Sequence, residues 1–250
     1  MRVVVLGSSG LIGRGLVTAL RGLSVDVVAP TRKDGCDVVT GSGLSEAFKG
    51  AQAVVDVTNS PSFETEAATS FFTTTSRHIV DAARLAGVSH LVVLSVVGSE
   101  HLTEMGYFTA KLLQEEAIRS SGLPYTILRA TQFFEFVGAI AEANRTPQGK
   151  YKVSGSAFQP MAAKDVSETL AKIVTASPKN GTVEVGGPER IPLYQAVETY
   201  FKAKGRQETV ERDDSAKYYG AISLKGDELC PGKGAMVVST TLEQWLQQQK

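Results

Sequence analysis

Runs of apolar residues alternate with stretches of helical period along this chain. Residues 3–6 are continuously apolar and rich in valine, which predicts a strand buried on both faces of a parallel sheet. Leu16 and Leu20 then share one face of a helix. Further strands are predicted at residues 25–29, 36–39, 53–57, 91–94, 123–128 and 182–185, and further helices at 44–48, 63–86, from about Tyr107, 165–174, 193–203 and 242–245. Strands that alternate with helices in this way predict an α/β fold with a doubly wound parallel sheet.

A glycine-rich segment, Gly7-Ser8-Ser9-Gly10-Leu11-Ile12-Gly13, joins the first strand to the first helix. Gly7 permits a tight turn, Gly10 lets a phosphate approach the backbone, and Gly13 lets the helix pack close to the strand. The free N–H groups at the helix N-terminus would bind a pyrophosphate. The segment predicts a nucleotide-binding Rossmann fold; the alternative is a glycine turn with a structural role only. The predicted cofactor contacts here are Gly7, Ser9, Gly10, Leu11, Ile12 and Gly13.

The end of the second predicted strand is the place where such folds select their nicotinamide cofactor. An acidic residue there would bind the ribose of NAD, but this chain continues with Thr31, Arg32 and Lys33. Two cations suit the 2′-phosphate of NADP(H), so NADP(H) is favoured and NAD(H) stays open. A solvated loop is the alternative, and Asp34 is the residue that could reverse the preference.

Two later loops supply further predicted cofactor contacts. Asp37 and Val38 would lie near the adenine, in a short third strand that follows the second without a crossover helix. Thr58 and Asn59 follow the strand at 53–57, and the carboxyl end of a parallel strand is where an α/β sheet places its ligand contacts. A Thr-Asn-Ser-Pro loop is also a normal turn, so both interpretations stay open.

Composition and charge narrow the functional classes. The 250 residues suffice for one sizeable domain, and 26 basic residues balance 26 acidic ones, which disfavours binding to nucleic acid or to an anionic membrane. No apolar run approaches the ~20 residues of a membrane span, and the start of the chain does not read as a signal peptide. Cys36 and Cys230 are far apart and share no ligand spacing with a histidine, so no metal is predicted. We expect a cytoplasmic monomer or homodimer that binds a small molecule.

Tyr107 and Lys111 are the strongest candidates for acid–base chemistry. They are four residues apart on a predicted helix, so both side chains lie on one face. A nearby ammonium favours the phenolate of a tyrosine and brings that group toward use at neutral pH. Lys111 could also bind a cofactor ribose, and Ser95, after a predicted strand, could orient a substrate oxygen. Taken alone, a tyrosine and a lysine at this spacing can also occur by chance.

Several motifs together resemble the atypical and extended short-chain dehydrogenases/reductases of the NmrA-like group. They are the G-x-x-G-x-x-G spacing, the segment from Asp56 to Pro61, Ser95 with Tyr107 and Lys111, the segment from Ser121 to Phe133, and Gly186-Gly187-Pro188-Glu189. The resemblance implies that Ser95, Tyr107 and Lys111 form a catalytic triad. It also implies a single NAD(P)-binding domain over residues 1–250, whose small C-terminal substrate-capping part comes mainly from 133–160 and 187–250.

The function that follows is an NADPH-dependent oxidoreductase that reduces a small carbonyl-type substrate by hydride transfer. Gln132, Phe133 and Phe134 follow a predicted strand and are candidates for substrate binding, although the phenylalanines could equally be core residues. Because the NmrA-like group also resembles redox sensors, a nucleotide-binding regulator without turnover is the alternative. Epimerase or dehydratase chemistry with a tightly held cofactor is a third hypothesis.

Overall fold

The structure of the protein is a computed structural model that describes residues 1–249. The chain divides into two compact units, Met1–Arg129 with Val166–Val183, and Ala130–Asp165 with the chain from Glu184 onward. The second unit overlaps the segments that were expected to form a capping region, and that capping role stays a prediction. The first half of the chain forms β1 (Arg2–Leu6), α1 (Leu11–Gly22), β2 (Asp26–Val28), α2 (Leu44–Ala47), β3 (Ala53–Asp56), α3 (Thr65–Leu85), β4 (His90–Val96), α4 (Gly106–Arg119) and β5 (Tyr125–Ala130).

Among the described residues, the second half of the chain forms six strands and four α-helices. In order these are α5 (Val137–Glu142), β6 (Tyr151–Val153), β7 (Ala157–Phe158), α6 (Ala163–Thr175), β8 (Gly181–Gly186), β9 (Ile191–Pro192), α7 (Leu193–Ala203), β10 (Val210–Arg212), β11 (Met236–Val237) and α8 (Leu242–Gln247). Within the described residues, no helix is both long and apolar enough to cross a membrane.

The main sheet has seven strands in the order β11-β8-β5-β4-β3-β1-β2. The pairs β1–β2, β1–β3, β3–β4 and β8–β11 are parallel. Chain order reverses at β1, because β2 lies on one side of it and β3 on the other. The predicted doubly wound α/β fold is therefore confirmed.

The predicted strand at residues 36–39 is wrong, because these residues form a turn. The side chain of Asp37 accepts a hydrogen bond from the backbone N–H of Val39 (2.8 Å), and its backbone bonds to Gly41 and Ser42. Gly41 and Gly43 both have positive φ, at 77° and 72°, which few other residues adopt at low cost. Turn chemistry of aspartate and glycine outweighs the short apolar sequence around Val38. The sheet ends instead at β2.

Part of the core of the first unit lies between the sheet and helices α2 and α3. Val3, Val4 and Val5 are fully buried, which confirms that β1 is covered on both faces. One core cluster joins side chains from β1, β3, β4 and β5 to residues of the two helices; its members include Val4, Val54, Leu91, Ile127, Leu44, Phe48, Ile79 and Ala83.

A buried ion pair ties α4 to β5. The carboxylate of Glu115 has no exposed surface and accepts two hydrogen bonds from Arg129, at 2.8 and 2.9 Å. Arg119 donates to the same carboxylate at 2.5 Å, and Glu100 binds the outer side of Arg129 at 2.9 Å. Burial alone would raise the pKa of Glu115, but the hydrogen bonds and charges of the arginines hold that pKa below its ordinary value.

We expect Glu115→Gln to lower the free energy of unfolding by about 3 kcal/mol, because the largely buried guanidinium of Arg129 loses its buried counter-charge and keeps only the partly exposed Glu100. The control Glu116→Gln changes an adjacent, largely exposed carboxylate and should stay within ~0.5 kcal/mol of the wild type. Urea denaturation measures both. Because folding lowers the pKa of Glu115, its contribution is complete above the unfolded-state pKa and is lost as the pH falls through the folded-state pKa. Equal losses for the two variants would contradict this role.

Candidate functional site

The carboxyl ends of β1 and β3 lie side by side at the point where the strand order reverses. In open α/β sheets this is the position at which ligands bind. Gly7 follows β1 directly, and the loop Val57-Thr58-Asn59 follows β3. The backbone N–H of Val57 donates to the carbonyl of Leu6 at 3.1 Å, so the two loops leave the sheet together.

The glycine turn contains two positions that admit no side chain. Gly7 has a φ of +80°, and a Cβ there would lie 2.9 Å from the carbonyl carbon and oxygen of Val57. A Cβ on Gly13 would lie 2.1 Å from the carbonyl oxygen of Gly7. Helix α1 begins after Gly10 and has no side-chain cap, so its first N–H groups are left for another acceptor. A cradle of this kind fits a pyrophosphate group.

The other residues of this turn that were predicted to contact the cofactor differ in their solvent exposure. Ser9 and Leu11 are exposed at the start of α1, whereas Ile12 is buried and its carbonyl accepts a hydrogen bond from Ser167 of α6 at 3.0 Å. Arg14 donates to the Ser9 carbonyl at 2.6 Å and fixes the outer edge of the turn. Ser8, which the sequence reasoning passed over, directs its hydroxyl to the carbonyl of Ala29, at the end of β2, at 3.3 Å.

The cations predicted to select the cofactor stand on a short 3-10 turn, Arg32–Asp34. Asp34 folds back on Thr31 and accepts hydrogen bonds from the Thr31 backbone N–H (3.0 Å) and hydroxyl (2.6 Å). These bonds, with a smaller contribution from the charge of Lys33, lower the pKa of Asp34. Arg32 and Lys33 are exposed and form no ion pair with any residue that the structure describes. The acid that could have reversed the NADP(H) preference is therefore engaged in the turn.

The remaining predicted cofactor contacts lie on the loop after the 3-10 turn and on the loop after β3. Asp37 shapes the turn after the 3-10 segment, and the Val38 carbonyl lies 3.1 Å from the ring nitrogen Nδ1 of His78. Thr58 is held by the buried carboxylate of Asp56, which accepts from its N–H (2.9 Å) and its hydroxyl (2.7 Å). Asn59 is exposed and accepts a hydrogen bond from Tyr107.

Tyr107 lies in the first turn of α4 and points toward the loop after β3. Its hydroxyl donates to Oδ1 of Asn59 at 2.9 Å. Its ring makes edge contacts with Phe63 (5.0 Å between centroids), Phe108 (5.4 Å) and Phe72 (5.9 Å). Phe63 is itself 57% exposed, so an open aromatic surface stands beside the phenol.

Lys111 points to a different set of partners. Its ammonium group is buried, donates to the Leu94 carbonyl at 2.8 Å and to the side-chain oxygen of Gln114, and lies 4.6 Å from the centre of the Phe72 ring. Burial lowers the pKa of Lys111 to about 8, although the carboxylates of Asp56 and Glu115 act in the opposite direction. The shared helix face thus brings Tyr107 and Lys111 to the same side of α4, and their polar ends reach different groups.

Two further polar side chains, which sequence reasoning missed, complete this region. Gln114 donates to Asp56 at 2.9 Å, and Asp56 is fully enclosed. Burial raises the pKa of Asp56, while the hydrogen bonds from Thr58 and the charge of Lys111 oppose that rise. The available signals were an acid at the end of an apolar strand and a glutamine on the Tyr107 face of α4.

Ser95, Gln132 and Phe134 are buried, whereas Phe133 is partly exposed. Ser95 lies within β4 and is 2% exposed. In the second unit, Phe134 is buried against Trp245, with ring centroids 5.7 Å apart, and Phe133 stacks on Phe136 at 5.5 Å. Gln132 is 8% exposed, and neither side-chain polar atom has a partner among residues 1–249. The catalytic and substrate-binding roles of these residues stay predictions.

A protein-family model described as NAD(P)H-binding matches residues 7–177, which is more than half of the chain. The chain belongs to this NAD(P)H-binding family. The matched segment begins at the first glycine of the cradle and includes both loops of the candidate site, as well as α4.

Reductases are among the characterised proteins that are similar to this chain in sequence. A (4-alkanoyl-5-oxo-2,5-dihydrofuran-3-yl)methyl phosphate reductase of Streptomyces griseus is 28% identical, over 82% of this chain and 74% of the relative. A chloroplastic divinyl chlorophyllide a 8-vinyl-reductase of Oryza sativa is 31% identical, over 52% of this chain and 34% of the relative. The chain therefore spans about a third of that second protein.

Solved structures share the fold over the full chain. An NADPH-dependent quinone oxidoreductase of Escherichia coli, crystallised with NADPH, gives a TM-score of 0.73 at 17% identity and covers 100% of this chain and 99% of its own. A triphenylmethane reductase of Citrobacter sp. with NADP(H) gives 0.69 at 17% identity, over 99% of both chains. The predicted NAD(P)H cofactor and the class of NAD(P)H-dependent oxidoreductase are confirmed, and the shared fold agrees with the predicted resemblance to short-chain dehydrogenases/reductases.

We expect Gly13→Ala to lower the free energy of unfolding by about 1–3 kcal/mol and to weaken NADPH binding, because its Cβ would overlap the carbonyl of Gly7. Gly22→Ala, at the other end of α1, is the matched control. A Cβ there meets nothing within 4 Å, and alanine should stabilise the helix by about 0.5–1 kcal/mol. Urea denaturation and fluorescence titration with NADPH check both variants. If both alanines behaved alike, the close approach at Gly13 would not matter.

Proposed function

We propose that this protein is an NADPH-dependent oxidoreductase that reduces a small carbonyl-type substrate by hydride transfer. The observation that carries the proposal is the position of the Tyr107 hydroxyl. It is bonded to Asn59, next to Thr58, and the loop that holds both residues packs on Gly7 of the cradle. A proton donor therefore stands close to the turn that would hold the cofactor phosphates.

The residues of the first unit fit a bound NADPH by their chemistry. The N–H groups at the start of α1 would bind its pyrophosphate, and Arg32 with Lys33 would bind its 2′-phosphate. Thr58 and Asn59 would lie near the ribose. When bound, NADPH supplies the hydride for reduction.

Tyr107 would supply the proton for the reaction. As the substrate carbon gains a hydride, its carbonyl oxygen gains negative charge and takes the proton from the Tyr107 hydroxyl. The tyrosine is left as a phenolate and is reprotonated from solvent. The alcohol product therefore carries one hydride and one proton more than the carbonyl substrate.

The surroundings of Tyr107 favour a planar, unsaturated substrate. Phe63 lies beside the phenol and is 57% exposed, and exposed aromatic side chains stack on flat rings. The names of the relatives agree in kind, since quinones and oxo-dihydrofurans are conjugated carbonyl compounds. We therefore favour quinones and conjugated ketones within the carbonyl class.

A nucleotide-binding regulator without turnover is the second candidate, and one observation favours it. Lys111 donates to Leu94 and Gln114, which differs from the direct contact with Tyr107 that the resemblance implies. A regulator needs the glycine cradle and the two cations but no proton donor. It would bind NADP+ and NADPH with similar affinity and would oxidise NADPH with no carbonyl compound.

We expect Tyr107→Phe to reduce turnover of NADPH with quinones by about 10²–10⁴-fold while leaving the Kd for NADPH nearly unchanged. The substitution removes one hydroxyl and keeps the aromatic contacts of the ring. Tyr125→Phe, at the start of β5, is the matched control and should keep full activity. Nicotinamide absorbance follows turnover, and fluorescence follows binding. Full activity of Tyr107→Phe would eliminate the acid role.

We expect Arg32→Ala to weaken NADPH binding by about 10-fold or more, because a charge-assisted hydrogen bond to the 2′-phosphate is lost. NADH lacks that phosphate, so its Kd should change little. Arg21→Ala, in the last turn of α1, is the control for loss of an exposed arginine and should affect neither Kd. Fluorescence titration measures all four values. Equal losses for NADPH and NADH at Arg32 would contradict the predicted preference.

A further inference from the structure

Helix α4 contacts the last residue of β3 and the loop after it through two separate polar contacts. The outer contact is the hydrogen bond from Tyr107 to Asn59, at 2.9 Å. The inner contact is the hydrogen bond from Gln114 to Asp56, also at 2.9 Å. Tyr107, Lys111 and Gln114 follow one another along the same face of the helix.

The inner contact forms a chain of buried hydrogen bonds. Lys111 donates to the side-chain oxygen of Gln114, Gln114 donates to Oδ2 of Asp56, and Oδ1 of Asp56 accepts both bonds from Thr58. Lys111, Gln114 and Asp56 are 3%, 1% and 1% exposed. The charges of Lys111 and Asp56 offset one another across the glutamine, so removal of either one leaves a buried charge unmatched. This chain fixes Thr58 and therefore the residue that follows it.

Asn59 has the chemistry that a proton-donating tyrosine needs from a partner. Its side-chain oxygen accepts from the phenol in the observed arrangement, and rotation of the amide would bring its NH₂ group to the same place. The rotated amide donates to a phenolate and stabilises it after the proton has left. One side chain can thus serve both protonation states of Tyr107.

We propose that Asn59 is the positioning residue of Tyr107, and that Lys111 acts only indirectly, as the inner end of the buried chain that holds the Asn59 loop. The proposal rests on the proposed function, since it assigns a role in the same proton transfer. It replaces direct lysine–tyrosine pairing with a tyrosine–asparagine pair. Asn59 keeps the hydroxyl in place, and Asp56, Gln114 and Lys111 keep Asn59 in place.

The decisive variant is Asn59→Asp, which keeps the shape and the acceptor but cannot donate and adds a negative charge. It should move ionisation of Tyr107 to higher pH and lower kcat with naphthoquinone by about 10-fold, with a smaller change in KM. Asn59→Leu removes the acceptor without adding charge and should lower kcat without the same rise in ionisation pH. Thr109→Asp adds the same charge at an exposed position on α4 and should change neither quantity.

Lys111→Met distinguishes direct pairing of Lys111 with Tyr107 from an indirect role through the buried chain of hydrogen bonds. We expect it to lower the melting temperature, because Asp56 and Gln114 lose their buried partner, and to shift the ionisation of Tyr107 less than Asn59→Asp does. If the single variant does not fold, the double variant Asp56→Asn with Lys111→Met removes both buried charges and answers the same question. A large upward shift in Lys111→Met, with no shift in Asn59→Asp, would overturn the proposal.

Tyrosinate absorbance gives a readout that does not depend on turnover. The difference between the pH titrations of the wild type and of Tyr107→Phe isolates the ionisation of this tyrosine, and the same subtraction applies in each variant background. If no quinone oxidises NADPH, the proposed function fails, and the titration still reports whether Asn59 or Lys111 controls Tyr107. An ionisation that Asn59→Asp leaves unchanged would refute the pairing even in an active enzyme.

Discussion

The site depends on the close packing of the first turn of α1 against the chain that leaves β1. A Cβ at position 13 would lie 2.1 Å from the Gly7 carbonyl oxygen, and one at position 7 would lie 2.9 Å from the backbone of Val57. Only glycine satisfies both restrictions. Because of them the helix N-terminus, the end of β1 and the loop after β3 come together in one cradle. The proposed phosphate site and the position of Asn59 therefore depend on the same backbone contacts.

The cationic side chains near this cradle are of two kinds, exposed and buried. Arg32 and Lys33 are exposed on a turn in which Asp34 accepts hydrogen bonds from Thr31. Their charges are therefore available to a phosphate in solvent. Lys111 is enclosed with Asp56 and Gln114, and its charge supports the loop from inside. Exposed cations suit the recognition of a diffusing anion, whereas a buried and partnered cation suits the positioning of fixed groups. In the proposed function, burial therefore separates the residues that would recognise the cofactor from those that would support Tyr107.

Local patterns in the sequence were sufficient to predict much of this structure. The apolar run of β1, the glycine spacing and the alternation of strands with helices predicted the fold, since each reports a local constraint that tertiary packing retains. The strand predicted at residues 36–39 was wrong because Asp37 and the following glycines favour a turn. The spacing of Tyr107 and Lys111 identified a shared helix face, but it could not show where a long lysine side chain ends. That depends on Asp56 and Gln114, which are distant in sequence and meet only in the fold.

The central claim is that the glycine cradle and the Tyr107–Asn59 pair form one reducing site. The most direct test is a single-turnover experiment in which the wild-type protein, saturated with NADPH, is mixed rapidly with naphthoquinone or a conjugated ketone. The account predicts that the nicotinamide absorbance falls in one exponential phase, with one reduced product formed for each NADPH consumed. Tight NADPH binding with no loss of that absorbance for any carbonyl compound would contradict the account and would leave a nucleotide sensor.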